Sequence, residues 1–228
     1  MNVPHRPVLL SAVMGVALVL SAPAARAGDD PDELQLRMSD QWQAVRDDRV
    51  HGIRPWGRIE PGKRFRAFRV ESVLRGSAGA LVARLRHAAL YPRWYWSTRE
   101  ATPVRTVSPD EFYLHLVHDA PYAMPDRDVV LHARLREEDG GGELLLESAP
   151  DVIPPSPPLI RMPAENIRLT WMPAGPGRLK IIAEGYADPG GKVPFWAVNF
   201  AQRSAPYQII LRLSQLAEDD PVPSAPEP

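Results

Sequence analysis

Apolar and polar positions set the elements most plainly over the last fifty residues. Residues 166–172 alternate, with Ile167, Leu169 and Trp171 on one face and Arg168 and Thr170 on the other, the period of a strand. Ala174-Gly175-Pro176-Gly177 supplies turn chemistry, and residues 179–186 form a second β-rich run. Asp188-Pro189-Gly190-Gly191 then breaks the chain, and Pro194 suits the first position of a helix. From there Trp196, Phe200, Tyr207, Ile209, Ile210, Leu213 and Leu216 recur at intervals of three or four. The spacing predicts a helix of roughly 24 residues, about 36 Å long. A sheet of about six strands is about 29 Å wide, so the helix can lie across a whole sheet. Over a curved sheet it either fills the space beneath it or leaves a cavity.

Upstream, residues 29–47 predict a helix with an acidic start and a stripe of Leu34, Met38, Trp42 and Val45. Residues 51–59 read as a short extended segment interrupted by Pro55. Residues 64–74 read as a strand, with Phe65, Phe68, Val70 and Val73 apolar and a phase slip near 67–68 that predicts a bulge. Residues 77–87 form a helix with Leu81, Val82 and Leu85 inward, followed by the aromatic segment Tyr91-Pro92-Arg93-Trp94-Tyr95-Trp96. Four strands follow, over 99–107, 111–118, 128–135 and 143–148, with hairpin turns at Ser108-Pro109-Asp110 and Asp139-Gly140-Gly141-Gly142. The loops 120–126 and 151–163 are rich in proline and are expected to be stiff, exposed and outside the sheet. Successive hairpins imply an antiparallel sheet and an α+β chain.

Composition narrows the setting. His5 and Arg6, the apolar run 8–20 and the small-residue site Ala25-Arg26-Ala27 form a secretory signal peptide over 1–27, with cleavage expected after Ala27. The alternative is an uncleaved anchor. Cleavage makes the protein periplasmic or secreted and leaves 25 Lys+Arg against 28 Asp+Glu, a net charge near −3. No basic surplus points to nucleic acid or draws the chain to anionic lipid. Without cysteine there are no disulfides, so stability rests on one core spanning 28–217, ahead of a tail over 218–228 with a disordered composition.

Enzyme signals are poor. His115 and His118 are three apart and face opposite sides of a strand, so they make no metal pair. Gly76-Ser77-Ala78-Gly79 lacks nucleophile-elbow spacing. Gly140-Gly141-Gly142 joins two strands and cradles no phosphate. No cofactor or metal is expected.

Four segments, in order, resemble the START (StAR-related lipid transfer) domain in a bacterial exported form. They are the helix around Leu81 and Leu85 followed by Tyr91-Pro92-x-Trp94; Pro125-Asp126-Arg127-Asp128-Val129-Val130; Ile167-Arg168 through Trp171; and Ala187-Asp188-Pro189-Gly190-Gly191-Lys192-Val193-Pro194-Phe195-Trp196. The resemblance implies a helix-grip fold, in which a curved antiparallel sheet wraps around the long C-terminal helix with an internal apolar tunnel. It also implies binding and transfer of one lipid, with no covalent step. Pro206 inside the last helix and the proline-rich 151–163 loop depart from the family pattern.

Arg127 is the sharpest site candidate. Alternation puts it on the face of Val129, Leu131, Ala133 and Leu135, where a charge needs a partner. It either binds a hydroxyl, carboxylate or phosphate in the tunnel or pairs with a structural carboxylate. Tyr113 and His115 are candidate polar contacts. Trp171, Trp196 and Phe200 are core or tunnel wall. The resemblance makes loop 120–126 the cover of the tunnel mouth, with Tyr122 and Met124 as its apolar tips. Pro206 marks a hinge or a fixed bend. The expected partners are one lipid (sterol, hopanoid, phospholipid or carotenoid) and, transiently, a membrane, with the protein a monomer. The alternative is a cyclase or aromatase of the helix-grip superfamily, with Arg127, Tyr113 and His115 as acid–base groups.

Overall fold

The alternating segments pair with one another in sequence order along most of a single sheet. A computed structural model describes residues 41–45, 48–121 and 124–219. The expected signal peptide, most of the helix expected over 29–47, Tyr122 and the end of the tail lie outside the described residues. The strands are β1 (Gln43–Ala44), β2 (Arg54–Arg58), β3 (Ala67–Arg75), β4 (Thr98–Ser108), β5 (Glu111–His118), β6 (Arg127–Glu138), β7 (Gly141–Ser148), β8 (Ile160–Arg161), β9 (Ala164–Pro173) and β10 (Arg178–Asp188). Their order is β1-β2-β3-β10-β9-β7-β6-β5-β4, with neighbours antiparallel, and β8 joins β6 in parallel. Among the described residues three α-helices accompany the sheet: α1 (Ala78–Arg86), α2 (Tyr91–Trp94) and α3 (Phe195–Asp219). The long helix α3 packs against β3, β2 and α2. This is the expected α+β, helix-grip arrangement. No helix among the described residues is long and apolar enough to cross a membrane.

Four local expectations need correction. Gln43–Ala44 is a strand and not the end of a helix, because β2 offers it an open edge: Gln43 pairs with Gly57, Ala44 with Trp56, and the Val45 N–H donates to the Pro55 carbonyl at 2.9 Å. No bulge interrupts β3, which pairs with β10 in unbroken register from Ala67↔Tyr186 to Arg75↔Arg178. Its inward positions are Phe68, Val70, Ser72 and Leu74, so a buried serine, with Val73 exposed beside it, broke the apolar rhythm. The 151–163 loop does enter the sheet, since Ile160 and Arg161 pair with Arg127 and Asp128. Finally, α3 runs to Asp219, two residues past its expected end.

Arg161 explains how a proline-rich loop is held. Its guanidinium donates to Asp128 Oδ2 at 2.8 and 3.0 Å and to the carbonyls of Pro150, Ile153 and Pro154. Asp128 is fully buried on the outer side of the sheet, where His115 Nε2 also lies 2.9 Å from Oδ2. Burial by itself would raise the Asp128 pKa. The hydrogen bonds from Arg161 and His115 hold it below the usual carboxylate range instead.

The core lies between the inner face of the sheet and the helices. Ser77 caps α1 by accepting from the Ala80 N–H, and Leu81, Val82 and Leu85 are buried as expected. Tyr91, Trp94 and Tyr95 form one aromatic group, with ring centroids 4.8 Å (Tyr91–Trp94) and 5.2 Å (Trp94–Tyr95) apart. Trp171 lies over Gly142, where a Cβ would stand 2.4 Å from the indole, so only glycine fits. The C-terminal half of α3 adds Ile209, Ile210, Leu213 and Leu216 to the same core. Asp48 fastens the 48–53 turn to that helix by accepting from the Tyr207 hydroxyl, from His51 Nδ1 at 2.9 Å and from two backbone N–H groups. These bonds, the Tyr207 one foremost, hold its pKa far below the usual carboxylate range.

At the far side, β4 is the edge strand among those described. Its pairing with β5 slips between Thr98 and Glu100, between Pro103 and Arg105, and between Thr106 and Ser108.

Candidate functional site

The N-terminal half of α3 faces the sheet with small side chains. Ala197, Ala201 and Ala205 recur every four residues and so share one stripe. Opposite them the sheet presents Ala187, equally small, on the inner face of β10. The result is a cavity of about 170 Å³ between helix and sheet. Its walls come from α3 (Ala197, Val198, Ala201, Ala205, Pro206 and Ile209), from the 119–124 loop, from Val45 and Trp56 near the sheet edge, and from Phe68 and Ile167 on the sheet. A smaller void of about 20 Å³ between Phe68, Leu169 and Ile209 continues it toward the filled core.

Polar side chains break this wall: Arg66, Gln202 and Arg203 border it, and one cluster gathers around the start of β6. Arg127 begins β6 on the inward face and is only 6% exposed. Its Nη1 donates to the Pro125 carbonyl, while Nε and Nη2 have no partner among the described residues. Burial lowers its pKa and the nearby Asp126 charge opposes that shift. Asp126 itself is engaged elsewhere. It accepts from the Ala120 N–H at 3.0 Å and from Arg99 at 2.6 Å, and those bonds depress its pKa. Arg99 also donates to Asp119 at 2.6 Å, so one arginine ties both ends of the 119–126 loop.

His118 is the cross-strand partner of Arg127 and also lines the cavity. Its Nδ1 lies 3.1 Å from the Thr98 hydroxyl, and its ring stacks on Tyr95 with centroids 5.9 Å apart. Its Nε2 stands 3.6 Å from Glu165 Oε2, beyond hydrogen-bond distance, and both atoms are buried without a partner. Glu165 Oε1 accepts from the Tyr95 hydroxyl. Burial, reinforced by that carboxyl group, raises the Tyr95 pKa well above its ordinary value, so the phenol remains a donor. His118 is 8% and Glu165 5% exposed. Buried groups of this kind normally find partners, so unpaired atoms on a cavity wall point to a ligand or water. Among the described residues no cluster of three or more His, Asp or Glu could hold a metal.

No protein-family model matches the sequence. A relative in Pseudomonas aeruginosa, the uncharacterized protein PA1579, is 21% identical over 182 residues, 79% of this chain and 89% of its own length. The solved structure of a STAR-related lipid transfer protein fragment from Xanthomonas axonopodis superposes with a TM-score of 0.70 at 26% identity, covering 77% of this chain and 98% of that one. The fold is that of a START domain. Human StAR-related lipid transfer protein 5 shares it at a TM-score of 0.69 and 14% identity, over 82% of this chain and 90% of that one.

Within this START-type fold the candidate residues separate. Arg127 and Met124 line the cavity. Trp171 is buried in the filled part of the core and reaches no cavity wall. Tyr113 and His115 face outward, because the inward face of β5 is Phe112, Leu114, Leu116 and His118. Tyr113 stacks on His132 at 4.4 Å with Arg105 over it, and His115 pairs with Asp128. Trp196 and Phe200 are 49% and 51% exposed. The stripe drawn back from Tyr207 and Ile210 misses the cavity, which α3 instead meets through its alanines. His118, Glu165 and Tyr95 went unnoticed as site residues. Continuing the apolar alternation of Phe112, Leu114 and Leu116 brings in His118, and that of Trp171, Leu169 and Ile167 brings in Glu165.

Proposed function

We propose that this protein binds a single lipid or similar hydrophobic molecule in the cavity beneath α3 and carries or presents it in the periplasm as a monomer. The observation that carries the reading is an apolar cavity whose wall contains a buried arginine with two unused donors. The apolar body of a ligand would displace water from the wall, at about 25 cal/mol per Å² buried. Arg127 would meet its polar end. Access would require the 119–126 loop and the N-terminal half of α3 to part, near the exposed Trp196 and Phe200. Two half-exposed aromatics suit a transient membrane contact. The Xanthomonas neighbour, a STAR-related lipid transfer protein, agrees with this reading.

The test is native mass spectrometry of protein purified without detergent from its own periplasm, followed by solvent extraction. A one-to-one adduct that extraction releases as a lipid is the expected result. A mass equal to the bare chain, unchanged after incubation with lipid vesicles, would sink the proposal. A second reading has one observation in its favour: His118, Glu165 and Tyr95 put acid–base groups on the cavity wall. In a helix-grip cyclase they would move protons on a bound hydrophobic substrate, with no cofactor. An extracted ligand chemically altered by the wild type and unaltered by Glu165→Gln would favour it.

A further inference from the structure

The polar region of the cavity has a donor–acceptor pattern that bears on what the ligand carries. Glu165 already accepts from Tyr95 through Oε1, so its Oε2 still requires a donor. Thr98 Oγ1 lies 3.4 Å from the Trp96 carbonyl and 3.1 Å from His118 Nδ1. His118 Nε2 stands 3.6 Å from Oε2, beyond hydrogen-bond distance, so Oε2 awaits a donor of its own. Across the strand, Arg127 Nε and Nη2 await an acceptor. Directly opposed residues of adjacent strands hold their Cβ atoms about 5 Å apart, so one small polar group, or that group and a water, spans the site.

Resting on the reading that the cavity holds a lipid, we propose that Glu165, His118 and Arg127 select a neutral ligand ending in a hydroxyl and discriminate against one ending in a phosphate. A hydroxyl donates once and accepts twice, so it serves both sides of the site. An ionised phosphate diester only accepts. It would satisfy Arg127, leave Oε2 without a donor, and bring a second anion beside Glu165. An ammonium end group meets the converse conflict at Arg127.

The test uses the full chain, stripped of lipid, with Nile red as a neutral fluorescent occupant. The competitors share one tail: 1-dodecanol, its methyl ether and dodecyl methyl phosphate, an ionised diester. The ether is neutral and only accepts, so it separates the missing donor from the added charge. An unsatisfied buried group corresponds to about tenfold in affinity. Dodecanol is therefore expected to displace Nile red at about tenfold lower concentration than the ether, with the phosphate weaker still. In Glu165→Gln the alcohol–phosphate gap should narrow to about threefold or less. Equal displacement by all three competitors, or stronger displacement by the phosphate, would overturn the selectivity and leave lipid binding intact. Failure of Nile red and every competitor to bind would defeat the lipid reading itself. If the variant does not fold, the wild-type ratios alone decide.

Discussion

The two halves of α3 rest on the same sheet and hold opposite contents. Toward the C-terminus Ile210, Leu213 and Leu216 share a closed core with Leu81, Leu85, Trp171 and Ile181. Toward the N-terminus the same helical spacing carries Ala197, Ala201 and Ala205, and a cavity opens beneath them. Helix length and sheet curvature are common to both halves, so neither creates the cavity. Side-chain volume at a few helix positions does. The open half holds the unpaired polar atoms of Arg127, His118 and Glu165, which couples the missing volume to recognition, whereas those of the filled half are the indole nitrogens of Trp94 and Trp171.

The contrast can be broken from either side. The largest effect is expected at the filled half. Trp171→Ala should cost about 3–5 kcal/mol, read by urea denaturation, while the folded fraction keeps its ligand affinity. A loss under about 1 kcal/mol would mean that this half is not close-packed. Filling the open half should act the other way. Ala201→Leu should shift stability by no more than about 1 kcal/mol, because room is present, yet weaken Nile red binding by about tenfold or more. Unchanged binding would place the ligand elsewhere.

Acid should loosen the filled half through Asp48. A folded-state pKa below the unfolded value means that its stabilisation is fully present above about pH 4 and is lost as pH falls from there. Asp48→Asn should therefore flatten the fall in Tm below about pH 4; an unaltered slope would assign acid sensitivity to other carboxylates such as Asp128. The smallest effect is expected from Pro206→Ala. Pro206 sits in the helix at the cavity wall and withholds one backbone donor. If the bend is a hinge, restoring that donor should slow Nile red exchange with little change in equilibrium affinity. Unchanged exchange would leave Pro206 as a fixed bend.

Much of this was legible because alternation and helical spacing are local. The ends of β5 fall where Glu111 and His118 bound the alternating run, and Arg127 lies inward as its phase with Val129 and Leu131 requires. Three kinds of feature were not local. Two-residue strands such as β1 and β8 carry no period of their own and exist because an edge or an arginine–aspartate pair receives them. Ser72 interrupts an apolar face without interrupting the strand. Cavity walls and filled core read alike, since Trp171 and Phe68 are both large and inward yet only Phe68 meets empty space. Large aromatics drew attention on α3, whereas the cavity is marked by alanines.

The irregular pairing of β4 has a consequence for the molecule among its copies. An open sheet ends in a row of unused N–H and C=O groups, a template on which another chain can assemble. Here that row is interrupted by three slips of register, by Pro103, which has no N–H, and by the exposed charges of Arg99, Glu100 and Arg105. A second strand finds no straight run of backbone to zip along. A crowded compartment without disulfides to lock the fold is where that protection against fibrillar stacking matters most.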